Sequence, residues 1–197
     1  MDPLLTTERL LLRRFTPADG PDIAALDADP AVMRYLDAPV PPATTLAETL
    51  PEIIGDYDEL PDGQGQFATF TRTDGRFLGW VSILPVTSQG LTPGPGVLEL
   101  GYRLTPAAWG HGYATEGALA LVRHAFTTLG AERIVATTMA VNTGSRRVME
   151  KAGLRYVRTF HGAWDDPLPG AEEGEVEYAL TLEQWKTTGA PTPRQPS

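Results

Sequence analysis

The sequence predicts one mixed α+β domain, and three observations carry that prediction. Two β-rich runs, GQFATFTRT and RFLGWVSILPV, flank the turn residues Asp74-Gly75, a strong hairpin signal. From about Tyr113 to Leu129, apolar residues (Ala118, Leu119, Leu121, Val122, Ala125, Phe126, Leu129) recur at three- and four-residue steps, as the core-facing stripe of a helix does. Around them the chain runs as a meander of strands, then strand, helix, strand, helix, strand, strand, with no internal repeat.

Element by element, ERLLLRRF (8–15) reads as a first strand. TPADGPDIAALDADPAVMRYL follows as one or two short helices, with Thr16 or Asp19 as N-caps and a break at Pro30. Residues 38–66 are rich in Pro, Gly and acids around one helical patch, LAETLPEIIGDY. After the hairpin, GVLELGYRLT (96–105) is a strand, PAAWGHG a loop, and the helix from Tyr113 is closed by Gly130. ERIVATTMAV is β-rich, and TGSRRVMEKAG is a short helix ending at Gly153. LRYVRTFHGAW is a strand, DDPLPGAEEG a loop, and EVEYALTLEQW a last strand. The domain is assigned residues 1–186, and the tail 187–197, with little apolar content, is expected to be disordered.

Composition narrows the function classes. With 42% hydrophobic and 21% charged residues, the 197-residue chain has ordinary globular make-up and enough length for a sizeable core. A net charge of -9 argues against nucleic acid, which needs a basic face, and suits a cationic partner such as an amine. There is no cysteine, so thiolate metal sites and a cysteine nucleophile are excluded. His111, His124 and His161 show no close metal-ligand spacing, and no metal is expected. No run approaches the roughly 18 apolar residues of a membrane span, and the start is no signal peptide; a cytoplasmic protein with no membrane partner is expected.

The run WGHGYATEG (109–117) places two glycines just ahead of a helix. A dinucleotide fingerprint fits poorly, because Thr115 occupies the third glycine position and no second run of parallel βαβ units follows. The phosphate loop of nucleotide hydrolases is absent, since no G-K-[ST] occurs. Two readings remain: plain loop punctuation, or backbone amides and a helix N-terminus open to an anion.

The stretches LELGYRLTPAAWGHGYATEGALALVRHAF and RIVATTMAVNTGSRRVMEKAGLRYV resemble the acetyl-coenzyme A core of the GNAT superfamily of N-acetyltransferases. W-G-x-G-Y-A-T-E and N-x-x-S-x-x-V-x-E-K-x-G-L are similar to the branch that contains ribosomal-protein N-terminal acetyltransferases, as are ERLLLRRFTPAD and EYALTLEQW. The resemblance covers residues from about 8 to 186. It implies a central twisted sheet of six to seven strands, mostly antiparallel, with about four helices on both faces. It further implies direct acetyl transfer from acetyl-coenzyme A to a primary amine, on a small molecule or a protein N-terminus, and it admits a homodimer. A sensor that keeps the fold without turnover is the alternative.

The family loop has the form Q/R-x-x-G-x-G/A. Here Gly112 and Ala114 match and Trp109 departs, so no side-chain cation stands at the first position. The resemblance assigns the diphosphate to the amides of Trp109, Gly110, His111, Gly112, Tyr113, Ala114 and Thr115, beside Leu104, with Arg146 or Arg147 as nearby cations.

Acetyl transfer requires that an amine lose a proton, that the carbonyl be polarised and its oxyanion held, and that the thiolate regain a proton. On the strand 97–104, Glu99, Gly101 and Arg103 share one face. Glu99 reads either as an edge carboxylate paired with Arg103 or, with family support, as the general base. Asn142 and Ser145 are good cap residues at a helix start. The resemblance puts Asn142 on the pantetheine arm and Ser145 by the sulfur, and Ser145 replaces the family's tyrosine acid because Met149 stands there. Tyr102 reads as core, and Trp80 and Trp164 as packing or as pocket lining. Asp165, Asp166, Glu172, Glu173, Glu175 and Glu177 form either a solvated acidic loop or a field that draws an ammonium ion.

Overall fold

The strand expected over 8–15 forms as β2 (Leu10–Arg14), and a two-residue β1 (Leu5–Thr6), which was not expected, pairs antiparallel with it across a turn in which the Leu10 amide donates to Thr7 Oγ1. The structure is a computed structural model and describes residues 3–36, 38–162 and 167–188. Then come α1 (Gly20–Asp27), α2 (Pro30–Met33) and α3 (Pro42–Thr44), the last continuing through a π turn at Thr45–Thr49 into α4 (Leu50–Glu59). Pro30 opens α2 at its first turn, where its missing N–H costs nothing, and the carboxylate of Asp29 accepts from the Ala31 amide as N-cap.

The hairpin follows as β3 (Gly65–Thr71) and β4 (Phe77–Pro85), with Gly75 in the left-handed region at φ 66° and Thr71 donating to Asp74. The rest is β5 (Val97–Leu104), α5 (Tyr113–Thr127), β6 (Arg133–Met139), α6 (Thr143–Lys151), β7 (Arg155–Phe160), β8 (Glu175–Thr181) and α7 (Leu182–Thr188). One sheet runs in the order β1-β2-β3-β4-β5-β6-β8-β7, with β5–β6 its parallel pair. Its eight strands exceed the six to seven expected by the two-residue β1. Four described helices, α1, α4, α5 and α6, reach eight residues or more.

Two expected boundaries were wrong. The last strand stops at Thr181 because Thr181 and Gln184 cap each other: the Thr181 amide donates to Gln184 Oε1 and the Gln184 amide to Thr181 Oγ1. That reciprocal pair starts α7, which includes Thr187 and Thr188 of the expected tail, whereas 189–197 lie outside the described residues. β7 ends at Phe160, short of Trp164, which also lies outside them, as do Asp165 and Asp166.

The core joins both faces of the sheet. On one face α5 buries Ala118, Leu121, Val122, Ala125 and Phe126, each larger aliphatic side chain contributing about 1.5–3 kcal/mol. A Cβ on Gly117 would stand 2.9 Å from Val81 and 3.8 Å from Leu10, so this glycine lets the helix settle onto β4 and β2. On the other face Arg103 Nη1 donates to the buried carboxylate of Asp27 at the end of α1, 2.5 Å away. Helices therefore cover both faces.

β5 and β6 do not stay paired. Their register runs Val97↔Arg133, Leu98↔Ile134 and Glu99↔Val135 and then stops, although β5 continues to Leu104 and β6 to Met139. A cleft opens there in the middle of the sheet. The Thr105 amide bonds to Leu78 of β4, so by alternation the amides of Tyr102 and Leu104, past the last β5–β6 pair, face the cleft as a free strand edge.

Candidate active site

Past its end, β5 turns into the loop that leads to α5. Gly110 and Gly112 sit at φ 79° and 80°, a conformation that side chains disfavour, so both are required by the turn itself. The space beside them is open: a Cβ on Gly110 would meet nothing within 4 Å, and one on Gly112 would meet only Arg9 Nη2 at 3.5 Å. Gly112 is the N-cap of α5 and offers no side-chain acceptor, and the first amide returned to the loop is that of Glu116, bonded to Gly112 O. The amides of Tyr113, Ala114 and Thr115 thus head the helix with no acceptor among the described residues, beside the helix dipole's positive end.

Trp109, where the family pattern has Gln or Arg, acts as a clip. Its Nε1 donates to Leu104 O at 2.8 Å while its ring is 48% exposed, which ties the loop to the strand end. The exposed His111 lends its carbonyl to Arg9 Nη1 at 3.0 Å, and its ring stands 5.8 Å from that of Tyr113. Arg9 was not singled out from the sequence. Its Nε donates to Glu116 Oε2 at 2.7 Å, and its guanidinium lies 4.7 Å over the Tyr113 ring. Burial alone would raise the pKa of Glu116, but hydrogen bonds from Thr7 Oγ1, the Arg9 amide and the Arg9 side chain outweigh it and hold the carboxyl below its ordinary range. Arg146 faces elsewhere, donating to Tyr178 Oη and Ala140 O, and Arg147 is exposed.

Across the cleft, α6 begins at Asn142, whose Oδ1 accepts from the Ser145 amide at 3.2 Å and whose Nδ2 donates to Thr138 Oγ1. Asn142 is a helix cap, as its residue type predicts. Tyr102 is more than core. Its hydroxyl reaches from β5 to α6, donates to Ser145 O at 2.8 Å and lies 2.8 Å from Ser145 Oγ. Burial pushes its pKa well above the usual tyrosine value, with the Ser145 bond opposing, so it stays protonated. Met149 is buried in the core.

The Glu99 reading changes most. Its carboxylate does not pair with Arg103, which belongs to Asp27. It accepts from the Ser88 hydroxyl and from the amides of Thr87 and Ser88 at 3.4 and 3.3 Å, which fixes it to the loop after β4. The acidic stretch also divides. Glu172 and Glu173 are exposed in a 3-10 turn, and Glu177 is buried and paired with Arg133 and Arg158. Glu175 lies half-buried opposite Met139; its carboxylate has no hydrogen bond or ion pair with the described residues, and burial raises its pKa. By register Glu99, Val135, Met139 and Glu175 share one face, with Glu175 towards the open end of the cleft. Trp80 lies under Arg103 at 5.2 Å on that same face. Among the described residues no group of three His, Asp or Glu side chains could hold a metal ion, and no helix is long and apolar enough to cross a membrane.

Comparison with known proteins agrees with this geometry. The model of the acetyltransferase (GNAT) domain matches residues 9–155. The FsC-acetyl coenzyme A-N(2)-transacetylase of Aspergillus fumigatus is 36% identical over 185 residues, 93% of this chain and 78% of that protein. A GNAT-family acetyltransferase from Bacillus anthracis superposes with a TM-score of 0.75 at 26% identity, covering 91% of this chain and 98% of its own. A ribosomal L7/L12 alpha-N-protein acetyltransferase in complex with coenzyme A shares the fold, with a TM-score of 0.74 at 18% identity over 92% of this chain and 99% of its own. The cleft between parallel β5 and β6, the glycine loop at its mouth and these matches together place the chain in the GNAT acetyltransferase family.

Proposed function

We propose that the acceptor is a primary amine on a small molecule, acetylated directly from acetyl-coenzyme A without a covalent enzyme intermediate. The observation that carries the choice of acceptor is the relative at 36% identity over most of both chains, whose name describes acetyl transfer to a nitrogen, N(2), of a compound designated FsC. The protein N-terminal acetyltransferase shares the fold at half that identity.

In this reading the loop 109–114 takes the diphosphate on the amides of Gly110 to Thr115, with Leu104 and Trp109 bracing it. The pantetheine arm lies in the cleft as an added strand on the free edge of β5, whose amides also polarise the thioester carbonyl. Asn142 orients α6 so that Ser145 Oγ meets the sulfur. The amine nitrogen attacks the carbonyl carbon, a C–N bond forms and the C–S bond breaks. The thiolate takes its proton from Ser145, whose hydroxyl is aligned by Tyr102. The ammonium proton leaves to a carboxylate on the face that Glu99 and Glu175 share. Of the two, Glu175 suits the role: its carboxylate has no competing partner among the described residues, and burial raises its pKa. Glu99, held by three hydrogen bonds, fixes the loop that flanks the acceptor face.

A panel of small amines and N-terminal peptides, incubated with acetyl-coenzyme A and read by mass spectrometry with free-thiol detection, tests this. Acetylated small amine with equimolar thiol supports it. Acetylation confined to peptides would overturn the acceptor assignment, and thiol release without any acetylated amine would overturn direct transfer.

A further inference from the structure

The loop lacks the basic residue of the family pattern at its first position, and the structure points to where the charge comes from. We propose that Arg9, in the turn just ahead of β2 and about a hundred residues away in sequence, is the cation of the diphosphate site. The inference rests on the assignment of the 109–114 loop to the diphosphate.

Three contacts aim the guanidinium. Nε is held by Glu116 Oε2 at 2.7 Å and Nη1 by the His111 carbonyl at 3.0 Å, while the plane lies over Tyr113. Nη2 keeps both hydrogens free of any acceptor among the described residues, and it is the atom 3.5 Å from where a Gly112 Cβ would stand. The free edge of the guanidinium therefore borders the same open volume as the unbonded amides of the helix start. The side chain is 44% exposed, so a ligand reaches it. Electrostatics gives a reason for the arrangement. Glu116 puts a carboxylate in the first turn of α5, where it would repel a diphosphate. Arg9 neutralises that charge and adds two donors of its own, a fork suited to phosphate oxygens. Trp109, relieved of the charged role, closes the loop onto Leu104.

Two variants separate a phosphate contact from a mere loop brace, with calorimetric titration of coenzyme A and of pantetheine, which lacks the diphosphate. Arg9→Gln should weaken coenzyme A by about 10- to 100-fold, leave pantetheine unchanged, and flatten the salt dependence of coenzyme A binding. Glu116→Gln should tighten coenzyme A, because it removes a negative charge and leaves Arg9 in place. If Arg9 only braces the loop, Glu116→Gln breaks the same brace and weakens coenzyme A, which overturns the proposal. Unchanged affinity in Arg9→Gln, or equal losses for coenzyme A and pantetheine, would overturn it too. Failure of the loop assignment itself would read differently: wild-type protein would then bind pantetheine as tightly as coenzyme A.

Discussion

The hydroxyl of Tyr102 on β5 lies 2.8 Å from Oγ of Ser145 on α6, and so spans the cleft where β5 and β6 part. Two hydroxyls are thereby aligned where the family reading puts the thioester sulfur. Ser145→Ala should lower turnover by roughly 10²-fold with little change in coenzyme A affinity, the usual scale of general acid–base help. Tyr102→Phe should cost less, about tenfold, by loosening Ser145 alone. Steady-state rates under conditions where chemistry limits turnover check both; an unchanged rate in Ser145→Ala would return that residue to the helix turn.

The base prediction concerns pH. Glu175→Gln should reduce turnover by about 10²-fold at neutral pH, and the deficit should narrow as pH rises and the amine arrives already neutral. For an α-amine, with a reference pKa of about 7.7–8.0, the narrowing comes sooner than for a lysine-like amine at about 10.4. The neighbouring cations on that face, Arg133 and Arg158, are both held by Glu177, so they leave the carboxylate's basicity intact. Glu99→Gln should leave the shape of the pH–rate profile unaltered. The opposite pattern in the two variants would restore Glu99 as the base.

Gly112 carries the conformational demand of the loop. At φ 80° a β-branched side chain costs about 1–2 kcal/mol, and its branches would project into the open volume beside Arg9. Gly112→Val should therefore abolish measurable coenzyme A binding while the melting temperature falls by only a few degrees. Gly112→Ala should show a milder loss in the same direction. Wild-type affinity in a folded Gly112→Val protein would contradict the loop assignment.

Acid stability tests a structural pair outside the site. Asp19 is nearly buried, which by itself would raise its pKa, but two hydrogen bonds from Arg13 at 2.7 Å and others from Thr16 outweigh burial and lower it. A carboxyl whose folded pKa is depressed adds stability above its unfolded value, about 3.9, and loses it as pH falls through the folded value. Asp19→Asn should destabilise the protein by about 3 kcal/mol at pH 7 and flatten the decline of stability below pH 4. Denaturant titrations at pH 7 and pH 3 measure both; a variant that keeps the full acid slope would show that other carboxylates set it.

What could be read in the sequence was what the chain encodes locally. The Asp74-Gly75 turn, the α5 stripe and the N-x-x-S helix start each lie within a few residues, and each forms as expected. The pairs that define the site chemistry are distant. Arg9 and Glu116 are 107 residues apart and Tyr102 and Ser145 are 43 apart, and no spacing rule joins them. The expected Glu99–Arg103 pair does not form, because Arg103 is held by Asp27 and the partner of Glu99, Ser88, sits in an irregular loop whose path follows from packing. The α7 error is of another kind: the Thr181-x-x-Gln184 capping box was present in the sequence and was overlooked beneath the β-rich run before it.

The most direct test of the central claim is a crystal structure of the protein with coenzyme A. The account predicts diphosphate oxygens within about 3 Å of amides in the 110–115 run, the pantetheine arm between β5 and β6, and the sulfur within about 4 Å of Ser145 Oγ. A coenzyme A seated away from the glycine loop, or with its pantetheine arm outside the cleft, would contradict it.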